Sequence, residues 1–289
     1  MAPLGPEVSV VIPVRDGAGS LPALLDSLDV QTLARDRFEV IVVDNASRDH
    51  TAQIARGVGA RVVSEPIPSR SRARNRGVAA ARADFIAFTD GDCVAASGWL
   101  EALIACRGTA PLVAGPVYVT TGEPPNVVER FEALWRFGQE HWVRQGWAAT
   151  ANLAAERRAL EALGGFDVGY RHIGEDADLC LRAGRVGLSL GWCADAAVSH
   201  SAEAKSWKML KRCFFHGYSV NQAHYRLGVG YRAWVHPLAM VNGEKAMSLI
   251  GKRQDQFEGR EWRRMRRVAQ GAYAMRMLGS AWAEVQRAR

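Results

Sequence analysis

From residue 8 to residue 200, short apolar runs alternate with amphipathic segments. The runs that predict buried strands lie at residues 8–14, 38–43, 61–63 and 85–88. The first segment between them has one apolar helix face, formed by Leu21, Leu24, Leu25 and Leu28 behind Ser20 as a candidate N-cap. Two further helices are expected, one from near Ser47 to Gly57 or Gly59 and one over residues 70–82.

This order of elements predicts an α/β fold in which a mostly parallel central sheet has helices on both faces. The pattern continues less regularly, with a helix after Ser97, a strand over 112–119, a helix over 126–144, a helix over 175–185 and a strand over 188–192. Ligands of such sheets bind beyond the carboxyl ends of the strands. The polar residues directly after each strand therefore carry the candidate chemistry.

The basic excess of the chain is confined to its last third. Residues 203–289 hold 17 of the 37 Lys and Arg residues but 6 of the 30 Asp and Glu residues, and their pattern is helical. We therefore expect an α/β domain over 1–202 and a basic, mainly helical extension over 203–289. Basic helices with interleaved aromatic residues are typical of contact with an anionic membrane surface, and a solvated helical cap or an oligomer contact is the alternative. No nucleic acid is expected as a partner, because no recognised binding module accompanies the charge.

Acidic residues follow two of the predicted strands. Asp90, Gly91 and Asp92 come just after the run at 85–88, and Asp44 comes directly after the run at 38–43. Two carboxylates one residue apart can share a hard cation such as Mg²⁺ or Mn²⁺, and the glycine lets the backbone approach a ligand closely. A carboxylate at position 44 can accept a hydrogen bond from a base N–H or a ribose hydroxyl. The alternatives to these binding roles are that the acids lie in solvated turns, or that Asp44 caps the helix that follows.

Four arginines crowd residues 70–76, and helical spacing places Arg72 and Arg74 on different faces. One face could meet phosphates, since guanidinium forks match phosphate oxygens; a solvated basic face is the alternative. Glu175 and Asp176 open a predicted helix, where acids are favoured at any helix N-terminus. A carboxylate there could also act as general base for an acceptor hydroxyl. His200 follows an apolar run and is a metal ligand only in the company of other ligands.

Signatures of several other enzyme classes are absent from the sequence: GxGxxG after the first strand, GxxxxGK[ST], GxSxG and HExxH. With 48% hydrophobic and 23% charged residues the chain is not mainly disordered. The N-terminal residues do not read as a signal peptide, and no apolar stretch reaches the ~18 residues that a membrane span needs. The five cysteines are widely spaced without a CxxC pair, so we expect reduced thiols in a cytosol.

Six short blocks, in order, resemble the family-2 glycosyltransferases of the GT-A fold. They are VVIP at 10–13, VVDNAS at 42–47, ARNRG at 73–77, FTDGD at 88–92, GGFD at 164–167 and GEDADLCLR at 174–182. Each block alone is weak, but six in order over residues 8–200 are specific. The resemblance implies an inverting transfer of a sugar from a nucleotide-diphosphate donor, with 1–202 as the catalytic domain.

The resemblance also implies roles for particular residues. Those expected at the donor are Pro13, Asp44, Arg72, Arg74, Asn75, Asp90 and Gly91. Asp92 looks like the direct ligand of Mn²⁺ or Mg²⁺, with Asp90 and His200 beside it. Asp176, in an acidic pair with Glu175, looks like the general base.

Processive polysaccharide synthases of this family carry QxxRW and membrane helices, which this sequence lacks, so a single addition is expected. The sequence leaves open UDP, GDP or dTDP as the carrier, and a lipid-linked acceptor in glycan or cell-envelope biosynthesis is one candidate. The expected location is the cytoplasm, with peripheral contact at the inner face of the membrane through 203–289. The alternatives are a sugar-phosphate nucleotidyltransferase and a nucleotide-sugar binding protein that has lost catalysis.

Overall fold

The computed structural model describes residues 5–170, 172–227 and 259–287, so residues 228–258 of the predicted extension lie outside it. The strands are β1 (Val8–Val14), β2 (Phe38–Asp44), β3 (Arg61–Ser64), β4 (Phe85–Phe88), β5 (Cys93–Ala95), β6 (Leu112–Ala114), β7 (Val117–Thr120), β8 (Leu153–Glu156), β9 (Leu190–Trp192) and β10 (Val198–Ser201). The α-helices are α1 (Leu21–Asp29), α2 (Thr51–Gly57), α3 (Arg70–Ala80), α4 (Trp99–Cys106), α5 (Val127–Trp135), α6 (Gln139–Arg144), α7 (Arg157–Ala162), α8 (Glu175–Arg185), α9 (Ser206–Leu227) and α10 (Gly259–Arg287).

The central sheet has the strand order β3-β2-β1-β4-β8-β6-β9. The first four of these strands are mutually parallel, and β8 runs antiparallel to both of its neighbours. Side chains of β1, β2 and β4 are buried along almost the whole of each strand, as expected for mostly apolar strands in a sheet that is covered on both faces. The predicted α/β fold with a mostly parallel sheet is thus confirmed.

Helix α3 lies close against the sheet because one residue on its inner face has no side chain. A Cβ atom on Gly77 would come within 2.2 Å of Val11 Cγ1 of β1. Ser69 caps the helix, since its hydroxyl accepts a hydrogen bond from the Arg72 N–H at 3.3 Å. The cap and the close approach together fix where the arginines of α3 stand relative to the carboxyl ends of the strands.

Several boundaries differ from those predicted. The strand expected over 112–119 is divided between β6 and β7 at Gly115, where a Cβ atom would lie 2.0 Å from the Ala196 carbonyl oxygen. The helix expected over 126–144 is two helices, α5 and α6. Helix α2 begins at Thr51 and not near Ser47, whose hydroxyl instead accepts the Asp16 N–H at 3.0 Å. That hydrogen bond ties the loop after β1 to the loop after β2.

The expectation of reduced thiols is wrong for one pair of cysteines. Cys106 and Cys193 form a disulfide, although 87 residues separate them in the chain. Cys106 is the last residue of α4, and Cys193 directly follows β9. Parallel pairing of β6 with β9 brings β9 to the edge of the sheet beside α4, a proximity that cysteine spacing alone does not reveal. Cys93, Cys180 and Cys213 are free thiols.

The described residues belong to two compact units. The first comprises Met1–Tyr118, Gly138–Arg171 and Glu175–His200 and contains the central sheet. The second comprises Val119–Phe137, His172–Gly174 and Ser201–Arg289, so it includes α5 as well as α9 and α10. The predicted boundary at 202 stays a prediction. Within the described residues, no helix has both the length and the apolarity to cross a membrane.

Candidate functional site

Asp44 lies at the carboxyl edge of the central sheet, at the end of β2. Asp44 is the last residue of β2 and is in register with Val14, the last residue of β1. One of its carboxylate oxygens accepts a hydrogen bond from the Ser47 N–H at 3.1 Å, and Pro13 lies half-buried in the neighbouring strand. Asn45 then joins this edge to α3, because its Oδ1 accepts the N–H of the N-cap Ser69 at 2.9 Å.

Arg74 connects carboxylates from two distant parts of the chain. Its Nη1 donates to Glu175 Oε1 at 2.6 Å, and its Nη2 donates to Asp90 Oδ1 at 3.1 Å. The side chains of Arg74 and Glu175 are 3% and 4% exposed, whereas Asp90 is 34% exposed. The guanidinium also lies 5.6 Å from the centre of the Phe166 ring. Arg74 therefore places the start of α8 beside the acidic triplet that follows β4.

The charges around Arg74 shift two pKa values. Burial alone would lower the pKa of the Arg74 guanidinium, but the carboxylates of Glu175, Asp90 and Asp176 raise it overall, so the group stays charged. For Asp176, burial and the adjacent Glu175 carboxylate raise the pKa to about 6 against the opposing effect of Arg74. A carboxylate with this pKa is mostly ionised at neutral pH yet more basic than an ordinary aspartate, which suits a general base.

The first turns of α8 are anchored to the loop that contains Gly165. Arg182 Nε donates to Asp178 Oδ2 at 2.7 Å, and its Nη2 donates to the Gly165 carbonyl at 2.8 Å. From the other side, the Asn75 amide exchanges two hydrogen bonds of 2.8 Å with the backbone of Phe166. These contacts hold Asp176 in place because they fix both the helix and the loop that packs on it.

A second group of polar residues lies where β5 and β10 pair. His200 Nε2 lies 3.1 Å from Asp92 Oδ1, and the imidazole is 2% exposed while the carboxylate is 47% exposed. His200 is the cross-strand partner of Cys93. Ligand atoms of Asp92, Cys93 and His200 all lie within 4.8 Å of one another.

This group suits a hard divalent cation through its oxygen and nitrogen ligands, because the sulfur of Cys93 is a soft ligand. In the metal-free protein, burial raises the pKa of the Cys93 thiol, and Asp90 and Asp92 add to the effect. A carboxylate and an imidazole remain, with Asp90 two residues away from Asp92. Carboxylates suit Mg²⁺ and Mn²⁺, and an imidazole favours the transition metal of the two.

Gly91 lies between the two acids at a position that has no room for a side chain. A Cβ atom there would lie 2.9 Å from Val14 Cγ2. The triplet therefore turns directly over the end of β1. A larger residue would push Asp90 or Asp92 away from its present partner.

The structure brings together several of the residues singled out from the sequence, places Arg72 apart from them and gives the Asn75 side chain a partner in the protein backbone. Asp90, Glu175 and Asp176 surround Arg74, and Asp92 meets His200. Arg72 is exposed on the other face of α3, and Asn75 bonds protein backbone. Donor contacts by all of these residues stay predictions. For Arg74, Nε meets no acceptor among the residues that the structure describes.

One supporting residue was not found from the sequence. Asn152 is fully buried, and its Nδ2 donates to the carbonyls of Pro116 at 2.9 Å and Ala196 at 2.7 Å. Its Oδ1 accepts the Trp99 indole N–H at 2.9 Å. Because Ala196 leads directly into β10, the amide helps to position His200. The signal was an asparagine inside an apolar segment, Ala151 to Ala155, where a buried amide must have partners.

Comparison of the sequence with protein families gives two overlapping matches. The family described as Glycosyl transferase family 2 matches residues 9–150, and the Glycosyl transferase family group 2 matches residues 90–287. A pre-mycofactocin glycosyltransferase of Mycobacterium tuberculosis is 34% identical over 232 residues, which are 74% of this chain and 47% of that protein. The chain thus spans about half the length of that relative. Glycosyltransferase AglE of Haloferax volcanii is 30% identical over 72% of this chain and 71% of its own length.

Solved structures share the fold at low sequence identity. The mannosyltransferase PcManGT from Pyrobaculum calidifontis, in complex with GDP-Man and Mn²⁺, has a TM-score of 0.61 and 19% identity, covering 95% of this chain and 88% of that one. Residues 1–349 of S. aureus TarS, in complex with UDP, have a TM-score of 0.57 and 16% identity, covering 97% and 91%. Both likenesses support the GT-A fold that the sequence resemblance implied.

Proposed function

Since the chain belongs to glycosyl transferase family 2, we propose that it is an inverting glycosyltransferase acting on a nucleotide-diphosphate sugar and an acceptor hydroxyl. The observation that carries the proposal is the Arg74 bridge, which sets Asp90 beside Glu175 and the neighbouring Asp176. Asp176, the proposed base for the acceptor hydroxyl, is thereby held next to Asp90. Asp90 belongs to the acidic triplet that is proposed to hold the cation on the donor's diphosphate. The structural neighbours hold GDP-Man, UDP or UDP-GlcNAc, which supports a donor of this class.

Each proposed role follows from the position of a side chain. Asp176 takes the proton from the acceptor hydroxyl, and the oxygen attacks the anomeric carbon as the bond to the diphosphate oxygen breaks. Attack from the face opposite the departing diphosphate inverts the configuration. Asp44, at the end of β2, accepts a hydrogen bond from the base or ribose of the donor.

Asp92 and His200 are the proposed ligands of a divalent cation, with Asp90 beside them. Bound there, Mn²⁺ or Mg²⁺ would neutralise negative charge on the departing diphosphate. The Asp92 carboxylate is partly exposed, so a cation can reach it from solvent. The His200 imidazole is buried and would bind the same cation from the protein side. The Mn²⁺ in the PcManGT complex supports the use of a divalent cation.

The acceptor and the setting of the reaction are also proposals. In this proposal, a catalytic domain over 1–202 adds a single sugar to each acceptor in the cytoplasm. The acceptor is lipid-linked and is bound at the inner face of the membrane. Residues 203–289 would make the membrane contact, since their helices combine exposed basic and exposed apolar side chains.

Replacement of the metal ligand tests the assignment. Asp92→Asn is expected to lower transfer by about 10²–10³-fold, the usual effect of removing one electrostatic contact with the leaving group. The control is Asp36→Asn, which changes an exposed acid just before β2, at the opposite end of that strand from Asp44.

Thermal-shift assays with UDP, GDP and dTDP, each with and without Mn²⁺, would first identify the carrier.

Two outcomes would count against the proposal. Unchanged transfer in the presence of EDTA would remove the cation from the mechanism. Release of pyrophosphate from a nucleoside triphosphate and a sugar phosphate would identify a nucleotidyltransferase instead.

A further inference from the structure

Helices α9 and α10 pack along each other with their N-termini at the same end. Near that end Met209 and Met265 share one buried cluster. Farther along, the backbone of Gly217 lies against the backbone of Arg276, and Asn221 Nδ2 donates to Ser280 Oγ at 3.2 Å. Because residue numbers rise together along both helices, the pair is parallel.

The inner seam of the C-terminal half of this pair consists of small residues. A Cβ atom on Gly217 would lie 1.9 Å from the Arg276 carbonyl oxygen, and one on Gly279 would lie 1.8 Å from the Phe214 carbonyl oxygen. Ala283 is buried as well. In water, helices usually associate by burying large apolar side chains, whereas close packing through glycine and alanine is typical of helices in lipid.

The outer surface of the same half carries large apolar side chains. Leu278 is 57% exposed and Trp282 is 46% exposed. Others exposed with them are Tyr225, Tyr273, Met277 and Val285. From Val268 to Gln286 the sequence has one basic residue, Arg276, and one acid, Glu284. The arrangement is thus the reverse of a soluble helix pair, with small side chains inside and large apolar ones outside.

The N-terminal half of the pair is basic. Exposed cationic residues on it, or directly before it in the case of Lys205, are Lys205, Lys208, Lys211, Arg260, Arg263, Arg264, Arg266 and Arg267. Trp207 is exposed among them, with the Lys208 ammonium 6.0 Å from its ring centre. Since the helices are parallel, both sets of cations stand at the same end of the pair. The pair therefore has an exposed cationic part and an exposed apolar part that follow one another along the helix axes, with Arg226 as an exposed cation on the apolar half.

We propose that α9 and α10 form an anchoring surface for an anionic phospholipid membrane. The exposed Lys and Arg residues bind lipid phosphates, and the apolar half contacts acyl chains just below the headgroups. The proposed contact is with one face of the membrane; within the described residues no helix is both long and apolar enough to cross it. Charge complementarity selects an anionic lipid surface over a second copy of these helices, because residues 203–289 hold 17 Lys and Arg against 6 Asp and Glu and a copy would bring the same excess of cations.

This proposal provides the membrane contact that the proposed lipid-linked acceptor requires. It can be tested separately from the proposed transferase activity. Vesicle binding requires no turnover, and donor binding by the first unit requires no vesicle. A failed vesicle experiment would therefore leave the transferase assignment intact, and an inactive enzyme that binds vesicles would leave the anchoring surface intact.

The experiment is flotation of the full chain with phosphatidylcholine vesicles, with and without phosphatidylglycerol. We expect binding that needs phosphatidylglycerol and weakens with salt. Arg263→Gln with Arg267→Gln should weaken binding about 30-fold, at roughly fivefold per cation. Leu278→Glu with Trp282→Glu should weaken it on the order of tenfold per side chain. Val186→Glu, at a 64% exposed valine of the first unit, is the matched control and should bind as the parent does.

A second measurement does not depend on the double variants being folded. An NBD fluorophore attached to Leu278→Cys should shift to shorter wavelength on addition of anionic vesicles, because the probe enters an apolar medium. The proposal is overturned by absent flotation, by a Leu278→Glu/Trp282→Glu variant that floats like the parent, or by an unshifted probe. Sedimentation showing a dimer that this double variant dissociates, without vesicle binding, would assign the surface to a second copy instead.

Discussion

Replacing Arg74 with methionine should destabilise the protein far more than an ordinary substitution on the same helix. Arg74 and Glu175 are almost completely buried and lie 2.6 Å apart, and Asp90 adds a second ion pair at 3.1 Å. Removing one partner of a buried pair leaves an uncompensated charge and costs about 3–5 kcal/mol. At roughly 2–4 °C per kcal/mol for a chain of this size, the midpoint of thermal unfolding should fall by about 6–20 °C.

The control for this prediction is Arg72→Met, two residues away on α3. Arg72 is exposed, so its replacement should change the free energy of unfolding by about 0.5 kcal/mol or less. Calorimetry or circular dichroism gives both midpoints. Adding Glu175→Gln to Arg74→Met should restore part of the loss, because the buried charge disappears. Equal midpoints for the two single methionine variants would refute the view that Arg74 holds buried carboxylates in place.

The remaining predictions concern the acids and the glycine around this bridge. The pKa of Asp176 is about 6 in the folded protein against an ordinary 3.8, so the folded state binds its proton more tightly than the unfolded chain does. The free energy of unfolding should therefore fall as pH rises from 3.8 to about 6. Asp176→Asn should raise the midpoint of thermal unfolding at neutral pH but not below pH 3.8. The same substitution should abolish transfer. With the parent, kcat/KM should fall as pH drops through about 6, and a flat profile across that range would remove Asp176 as the base. Gly91→Ala should lower transfer because its Cβ meets Val14 Cγ2 at 2.9 Å, and Val14→Ala should restore it; no rescue would mean that the glycine is needed for another reason.

The parts of the fold that could be predicted from sequence are those whose signal is local. Strand β1 has the predicted bounds because every residue in it is apolar or buried, and α8 has them because Glu175 begins a clear amphipathic pattern. Strand β8 was not predicted, since Leu-Ala-Ala-Glu contains no β-branched or aromatic residue. It is a strand because β4 and β6 pair with it on both sides, which is information that lies elsewhere in the chain.

The candidate site shows the same division. Positions after β2 and β4 follow from the parallel sheet, so the order of strands along the chain is enough to place Asp44, Asp90 and Asp92 at one edge. The partner of Arg74 could not be predicted, because an arginine in a basic run gives no sign that it is buried or that Glu175 meets it. Sequence spacing distinguishes faces of one helix but does not show what each face touches.

The pairing of β5 with β10 determines which changes in chain length the protein can tolerate. Cys93 opposes His200 directly, so the ladder sets the distance between positions 92 and 200 whatever the length of the chain between them. Insertions in the connecting loops should leave that distance unchanged. A single deletion inside β10 would instead move Ser199 or Ser201 opposite Cys93 and turn the imidazole to the other face of the strand. Natural length variation should accordingly gather in the loops and spare these two short strands.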